Sequence, residues 1–110
     1  MQRNQKICKI VEEMSLYILE NSSSNLNIDI RQSEHQTVLT FVMDKCSEAV
    51  KDFMLGKIKG ERDKEIEEYG WELMGEGASD DDLGIINCLI DEISYEEPGD
   101  KSVVRMVRNE

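Results

Sequence analysis

The stretch SDDDLG, residues 79–84, places three aspartates and one glycine where a helix is predicted to begin. A helix N-terminus attracts anions, because its first backbone N–H groups are free and the macrodipole is positive there. The same place suits Ser79 or an aspartate as the N-cap residue, which accepts hydrogen bonds from these N–H groups. An aspartate about 6 Å from a phosphate charge opposes its binding by about 3 kcal/mol. The stretch therefore predicts a capped helix whose acidic start repels a polyphosphate.

The other residues that could do chemistry are scattered along the chain. Cys8, Cys46 and Cys88 are far apart and odd in number, so they form neither a metal-ligand spacing nor a disulfide framework. His35 lies in a polar turn, and no neighbouring cysteine or carboxylate makes a ligand set with it. We therefore expect no metal site, and the cysteine usage favours a reducing cytoplasmic location.

Charge and length exclude several classes of function. The chain has 110 residues and a formal net charge of −11, so phosphate backbones should repel it and nucleic-acid binding is not expected. No apolar run reaches the roughly 18–20 residues of a membrane-spanning helix. The length fits one domain over residues 1–110. The acidity suits a basic protein partner, and it also serves solubility alone.

Hydrophobic periodicity predicts the order of the elements. Spacing of three and four residues predicts a helix, and strict alternation predicts a strand. Turn residues separate them, with Pro98-Gly99-Asp100 joining the last two strands. The predicted helices cover residues 3–20, 46–55, 61–74 and 81–91, and the predicted strands cover residues 25–31, 37–44, 92–96 and 102–108.

Two strand pairs separated by helices predict an α+β fold. We expect a two-layer sandwich in which a mostly antiparallel four-stranded sheet carries its helices on one face. In the second strand, Leu39, Phe41 and Met43 lie on one side, and Val38, Thr40 and Val42 lie on the other. Apolar residues on both sides predict that this strand is central or covered on both faces. Leu26, Ile28 and Ile30 alternate with polar residues, which predicts a half-buried first strand.

Three blocks of the sequence resemble a known family. DDLGIINCLIDEISYEE with DKSVVRMVR, VEEMSLYILEN, and LTFVMDKC occur in the order of the histidine-kinase-type (GHKL, Bergerat fold) ATP-binding domain. The closest likeness is to bacterial anti-sigma-factor serine kinases. The resemblance covers most of the chain, but the family's opening strand and helix are absent. It implies that residues 45–80 correspond to the family's lid, and family members often form homodimers.

The resemblance assigns the first helix to the family's magnesium site. Glu13 matches the glutamate that acts as the catalytic base in active members. Tyr17 occupies the position of the asparagine that holds magnesium, and a phenol is a poor ligand for a hard cation. The family's metal ligand is therefore replaced.

The resemblance also assigns residues to nucleotide binding. Asp44 matches the aspartate that recognises adenine, and Leu83 with Gly84 matches the end of the phosphate-binding turn. Cys46 replaces the glycine that accompanies the adenine aspartate, and Asp82 replaces the first glycine of the turn. The pattern is that of a degenerate nucleotide site, so no cofactor is expected and an enzyme is the less favoured interpretation.

Three functions compete at this point. The favoured one is a non-catalytic regulatory domain of the anti-sigma type that acts by binding a protein. The second is an active ATP- and magnesium-binding protein or small serine kinase that uses Glu13, Asp44 and Gly84. The third is an unrelated α+β regulatory or dimerisation module. Placement of the first helix and residues 81–91 on different faces of the sheet would favour the third.

Overall fold

The computed structural model describes residues 2–21, 25–69 and 80–110, and it describes no side chain at 69 or 80–82. Eight elements follow one another along the chain. They are α1 (Arg3–Asn21), β1 (Leu26–Gln32), β2 (Gln36–Asp44), α2 (Glu48–Lys57), α3 (Lys64–Tyr69), α4 (Asp80–Asn87), β3 (Glu92–Glu96) and β4 (Lys101–Asn109). The predicted helix over 61–74 falls partly outside the described residues, as do Ser79 and part of the lid-like segment over 45–80.

The four strands form one antiparallel sheet in the order β1-β2-β4-β3. β2 pairs with β1 in a hairpin and with β4 along its other edge, where Phe41 lies opposite Val104. β3 pairs with β4 across the turn at Pro98-Gly99, where Gly99 has a φ of +65°. The α+β class and the four-stranded antiparallel sheet are confirmed, and β2 is a central strand as predicted.

The described helices pack on one face of this sheet. Their buried apolar side chains form a single cluster with the alternate residues of β2 and β4. The cluster contains Ile7, Ile10, Met14, Ile18, Leu39, Phe41, Met43, Met54, Ile58, Leu83, Ile86, Leu89, Ile90, Val104 and Met106. α1 and α4 contact each other within this layer. The prediction of helices on one face is therefore confirmed for the described part of the chain.

The opposite face of the sheet, called the open face below, carries a second set of apolar residues. Period-two alternation places Val38, Thr40 and Val42 of β2 there, beside Val103, Arg105 and Val107 of β4. None of these side chains belongs to the core cluster. Val107 is buried, whereas the other three valines are half-buried. Among the described residues, coverage of β2 on both faces by helices is not observed.

β1 is more exposed than its alternating sequence predicted. Ile28 is 37% exposed and Ile30 is 45% exposed, although both face the helical layer. The reason is position, because β1 lies at the edge of the sheet and α1 reaches only part of it. A half-buried pattern does not distinguish an edge strand from an inner one.

A loop between α2 and α3 packs against the start of β3. Gly60 has a φ of +79°, and a Cβ there would lie 2.8 Å from the Asp91 carbonyl oxygen. Asn87 at the end of α4 holds the loop, since its Oδ1 accepts hydrogen bonds from the N–H groups of Lys59, Gly60 and Glu61. The loop thus covers part of the β3 edge.

A group of charged side chains, three of them buried, lies where β4 ends, and we call it the Arg108 cluster. It consists of Lys6, Arg62, Glu67, Asp91, Arg108 and Glu110. Arg108 is only 2% exposed. Its Nη1 lies 2.8 Å from Glu67 Oε1 and donates to the Leu89 carbonyl at 2.5 Å, and its Nη2 lies 3.2 Å from Glu110 Oε1.

The other members of the Arg108 cluster connect it to three more segments. Arg62 Nη2 lies 3.3 Å from Glu67 Oε1, and Arg62 Nη1 lies 3.0 Å from Asp91 Oδ2. Lys6 Nζ of α1 lies 3.7 Å from Glu67 Oε1. Glu67 therefore neutralises cations from α1, from the loop and from β4. Its removal leaves two buried cations, Lys6 and Arg108, and the half-buried Arg62 without this shared partner.

We predict that Arg108→Met lowers the free energy of unfolding by about 3–5 kcal/mol, because it leaves Glu67 buried with a weaker set of cations. Urea unfolding measures this loss. Arg105→Met is the matched control, since Arg105 is on the same strand but exposed on the open face, and its change should stay within about 0.5 kcal/mol.

A double-mutant cycle gives the second part of this test. Arg108→Met with Glu67→Leu should cost less than the sum of the two single changes, because the pair is lost as a unit. Equal costs for Arg108→Met and Arg105→Met, or strict additivity in the cycle, would contradict the structural role of the cluster.

Candidate functional site

Glu13 lies on the buried side of α1 and is only 4% exposed. Its Oε1 is 3.3 Å from Lys9 Nζ, one helical turn earlier. Burial lowers the pKa of Lys9, but the hydrogen bonds and charges of Glu12 and Glu13 outweigh it and hold that pKa above its ordinary value. The carboxylate of Glu13 is thus engaged by a cation of its own helix, within the layer that covers the core face of the sheet.

Tyr17, one turn after Glu13, packs α1 against α2. Its ring stacks on Phe53 with centroids 5.8 Å apart and planes inclined by 30°. Its hydroxyl donates to the Val50 carbonyl oxygen at 3.5 Å. At the position where the resemblance places a magnesium ligand, the chain therefore uses an aromatic ring for packing between two helices.

Asp44 is the last residue of β2 and carries two polar contacts. Its Oδ1 lies 3.0 Å from Lys101 Nζ, and its Oδ2 accepts a hydrogen bond from Asn25 Nδ2 at 3.1 Å. The Asp44 hydrogen bond and charge raise the pKa of Lys101 above its ordinary value. Because Met43 belongs to the core and side chains alternate along a strand, Asp44 lies on the open face.

Glu13 and Asp44 are consequently on opposite sides of the sheet. Glu13 belongs to the helical layer, whereas the side chain of Asp44 faces away from that layer. A single nucleotide contacts both in the arrangement that the resemblance implies. The geometry does not bring these two predicted site residues together.

Leu83 and Gly84 lie at the end of the first turn of α4. Leu83 is 3% exposed and belongs to the core cluster. Gly84 is the fifth residue of α4 and half-buried, and a Cβ there would meet nothing within 4 Å. The first four N–H groups of a helix are the free ones, so the N–H of Gly84 lies where intrahelical bonds begin.

The comparisons with known proteins add no relative. No family model matches the chain, and no curated protein or solved structure matches it.

Residues 2–21, 25–69 and 80–110 contain no group of three or more His, Cys, Asp or Glu side chains that could hold a metal ion. In the same part of the chain, every helix is too short or too polar to cross a membrane.

A polar cluster that sequence reasoning missed lies at the end of the sheet where β2 ends and β4 begins. We call it the Tyr95 cluster, and it contains Cys46, Tyr95, Glu97 and Ser102. The Tyr95 hydroxyl is 2.7 Å from Ser102 Oγ, 3.2 Å from Cys46 Sγ and 2.8 Å from Glu97 Oε1, to which it donates. Ser102 Oγ also accepts from the Cys46 N–H at 3.1 Å. The cluster joins β3, β4 and the segment before α2.

Two lysines complete the electrostatics of the Tyr95 cluster. Lys45 Nζ lies 3.6 Å from Glu97 Oε2, and Lys51 Nζ lies 5.1 Å from the centroid of the Tyr95 ring. The hydrogen bond from Tyr95 lowers the pKa of Glu97, assisted by both lysines. Burial, with the neighbouring Cys46, raises the pKa of Tyr95 well above its ordinary value. Tyr95 therefore remains a neutral hydrogen-bond donor, which suits a structural role better than acid–base catalysis.

The sequence contained a signal for part of the Tyr95 cluster. Alternation along the predicted last hairpin places Tyr95 and Glu97 on one side of their strand. The turn at Pro98-Gly99 then brings Ser102 close to both. The contact with Cys46 had no local signal, because it depends on the pairing of β2 with β4.

We predict that an ultraviolet titration of this protein shows a late tyrosine phase, well above the ordinary tyrosine pKa, and that Tyr95→Phe removes this phase. A tyrosine pKa raised on folding contributes stability below its ordinary value of 10.0, and this is lost as pH rises through the folded value. Tyr17→Phe is the matched control and should leave the late phase in place. A single phase for all tyrosines would contradict the cluster.

Proposed function

We propose that this chain is a non-catalytic regulatory domain that binds another protein through the open face of its sheet. The proposal rests on one observation. The central strands β2 and β4 carry four valines on the face opposite the helical core. Val42 lies directly opposite Val103, and Val38 lies directly opposite Val107. Val107 is buried, but Val38, Val42 and Val103 stay half-buried on a face that no described helix covers, and apolar side chains in that position call for another explanation.

The composition of the open face supports protein binding. Thr40 and Arg105 lie between the two valine pairs, so the apolar area is interrupted by one hydroxyl and one guanidinium group. Glu92 and Glu96 are exposed on the same face of β3, and Asp29 and Arg31 are exposed on β1. An apolar centre within a polar rim, with an arginine included, is the usual anatomy of a protein interface.

The arrangement of the helices supports the anti-sigma-type resemblance as a scaffold. α1 and α4 pack against the same face of the sheet, which is the arrangement that the resemblance requires. Glu13 and Asp44 are separated by the sheet, and Tyr17 packs against Phe53. If the resemblance holds, a scaffold whose predicted nucleotide residues lie apart favours regulation by binding over phosphoryl transfer.

Charge favours a partner with basic side chains around an apolar centre. The chain carries a net charge of −11, and Glu92 and Glu96 border the valines on the β3 side. Complementary charges mainly speed association and select the partner, while the buried apolar centre supplies affinity. The partner segment should therefore place its cations toward β3.

We predict that this chain captures a protein from the source cells, and that substitutions on the open face weaken this capture. Val42→Glu and Val103→Glu should each weaken capture by about tenfold or more, because each places a charge in the apolar centre. Ala49→Glu is the matched control, since Ala49 is exposed on α2 in the helical layer. Thr40→Arg provides a further face variant if a valine change lowers the melting temperature.

The purified partner is then titrated against the same four variants. A partner that binds all of them as tightly as it binds the original chain would contradict the assignment of the open face. Failure to recover any specific protein with the original chain would contradict the proposed function itself.

A further inference from the structure

The outer edge of β1 stands out among the surfaces of the protein. β1 pairs with β2 along one edge, and within the described residues no strand pairs with the other. Such an edge is usually protected by lysine, proline, a bulge or a covering loop. Leu26–Gln32 contains neither lysine nor proline, and it exposes Ile28 and Ile30. The opposite edge strand, β3, is shorter, and the loop at Gly60 packs against its start.

We propose that two copies of this chain pair through β1, antiparallel and around a twofold axis at Ile30, to form one continuous eight-stranded sheet. The proposal is independent of the function assigned to the open face. Antiparallel pairing of a strand with its own copy makes the interface self-complementary, as a twofold axis requires. The backbone groups of both edges then find partners.

Charge selects the register of this pairing. With Ile30 on the axis, Asp29 lies opposite Arg31 of the second copy, and Arg31 lies opposite its Asp29. These side chains already lie 2.9 Å apart within one copy and are 55% and 82% exposed, so both can reach across the new edge. An axis at Asp29 would instead oppose two aspartates, and an axis at Arg31 would oppose two arginines, and like charges directly opposite destabilise a sheet.

Apolar contacts favour the same register. Ile30 lies opposite Ile30 of the second copy on the helical side of the sheet, where it is 45% exposed in one chain. Ile28 lies on the same side, two residues away. Pairing with a second copy would cover apolar surface that α1 leaves open, and aliphatic pairs across neighbouring strands stabilise a sheet.

The orientation of α1 supplies a second set of contacts. Asn4 Oδ1 accepts a hydrogen bond from Gln32 Nε2 at 2.9 Å, which fixes the side of α1 that adjoins β1. Helical spacing places Cys8, Val11, Ser15 and Leu19 on that side. Leu19 is 53% exposed, which is more than Ile28 or Ile30 of β1.

Helix and strand dimensions place Cys8 near the proposed axis. Ile30 is two residues from Gln32, which corresponds to about 6.6 Å along the strand. The same distance along α1 takes about four residues from Asn4, which leads to Cys8. Cys8 is an exposed free cysteine, whereas Cys46 is buried and Cys88 is half-buried. The two copies of Cys8 should therefore approach each other in the dimer.

Sedimentation velocity at physiological salt tests the proposal with charge-exchange variants. The original chain should sediment as a dimer that dissociates on dilution. Asp29→Arg alone and Arg31→Asp alone should each raise the dimer dissociation constant by about tenfold or more, because each turns two attractive pairs into repulsive ones. The double variant D29R/R31D should recover dimerisation.

A mixture of the two single variants gives the sharpest outcome. An Asp29→Arg copy carries two arginines and an Arg31→Asp copy carries two aspartates, so the mixture should form heterodimers although each variant alone is monomeric. At a concentration where the original chain is also monomeric, circular dichroism should show unchanged melting for both variants, since the substituted side chains are exposed. A monomeric original chain at about 0.1 mM, or a dimer that neither single variant weakens, would overturn the proposal.

Oxidation of Cys8 checks the register separately. Copper–phenanthroline with oxygen, which takes two electrons and two protons from a pair of thiols, should give a covalent dimer on a non-reducing gel. Cys8→Ser should abolish this product, and Asp29→Arg should reduce it strongly. Absence of the covalent dimer, or its equal formation with Asp29→Arg, would overturn the placement of the axis at Ile30.

Discussion

The contact between the Arg108 guanidinium and the Glu67 carboxylate holds the helical layer to the sheet. A guanidinium keeps its charge in proteins, so a side chain that is 2% exposed must find acceptors for its N–H groups inside the fold. Glu67, Glu110 and the Leu89 carbonyl supply them from three different segments. Lys6 and Arg62 share Glu67, so α1, α3 and the loop before it are positioned together with the last strand.

The position of the Arg108 cluster determines which surfaces are left available. It fixes the end of the sheet where β2 begins and β4 ends, and the Tyr95 cluster fixes the opposite end. The helical layer covers one face through the core cluster. Among the described residues, the large surfaces that remain are the open face and the outer edge of β1. These are the two surfaces to which we assign a protein partner and a second copy of the chain.

The strands and most helices could be predicted from the sequence because period-two and helical spacing are local signals. The order β1-β2-β4-β3 had no such signal, and neither did the edge position of β1 that exposes Ile28 and Ile30. The burial of several charged side chains could not be predicted from the sequence either. Glu13 reads as part of a solvated face beside Glu12, yet Glu13 is buried, and Glu67 and Arg108 lie in the interior only because tertiary pairing brings them together.

The resemblance assigned Glu13 and Asp44 to one nucleotide site, but the sequence does not show whether the two side chains lie on the same side of the sheet. Asp44 follows a core residue of β2, so alternation directs it to the open face, whereas Glu13 belongs to the helical layer. This separation argues against nucleotide chemistry, while the valines of the open face carry the proposal of protein binding.

Isothermal titration of the chain with magnesium-ATP tests this central claim most directly. The account predicts no saturable heat at millimolar nucleotide, because no single ligand of that size reaches Glu13 and Asp44 across the sheet. Saturable binding that Asp44→Asn and Glu13→Gln each weaken, while Asp29→Asn leaves it unchanged, would contradict the account and restore the active ATP-binding interpretation.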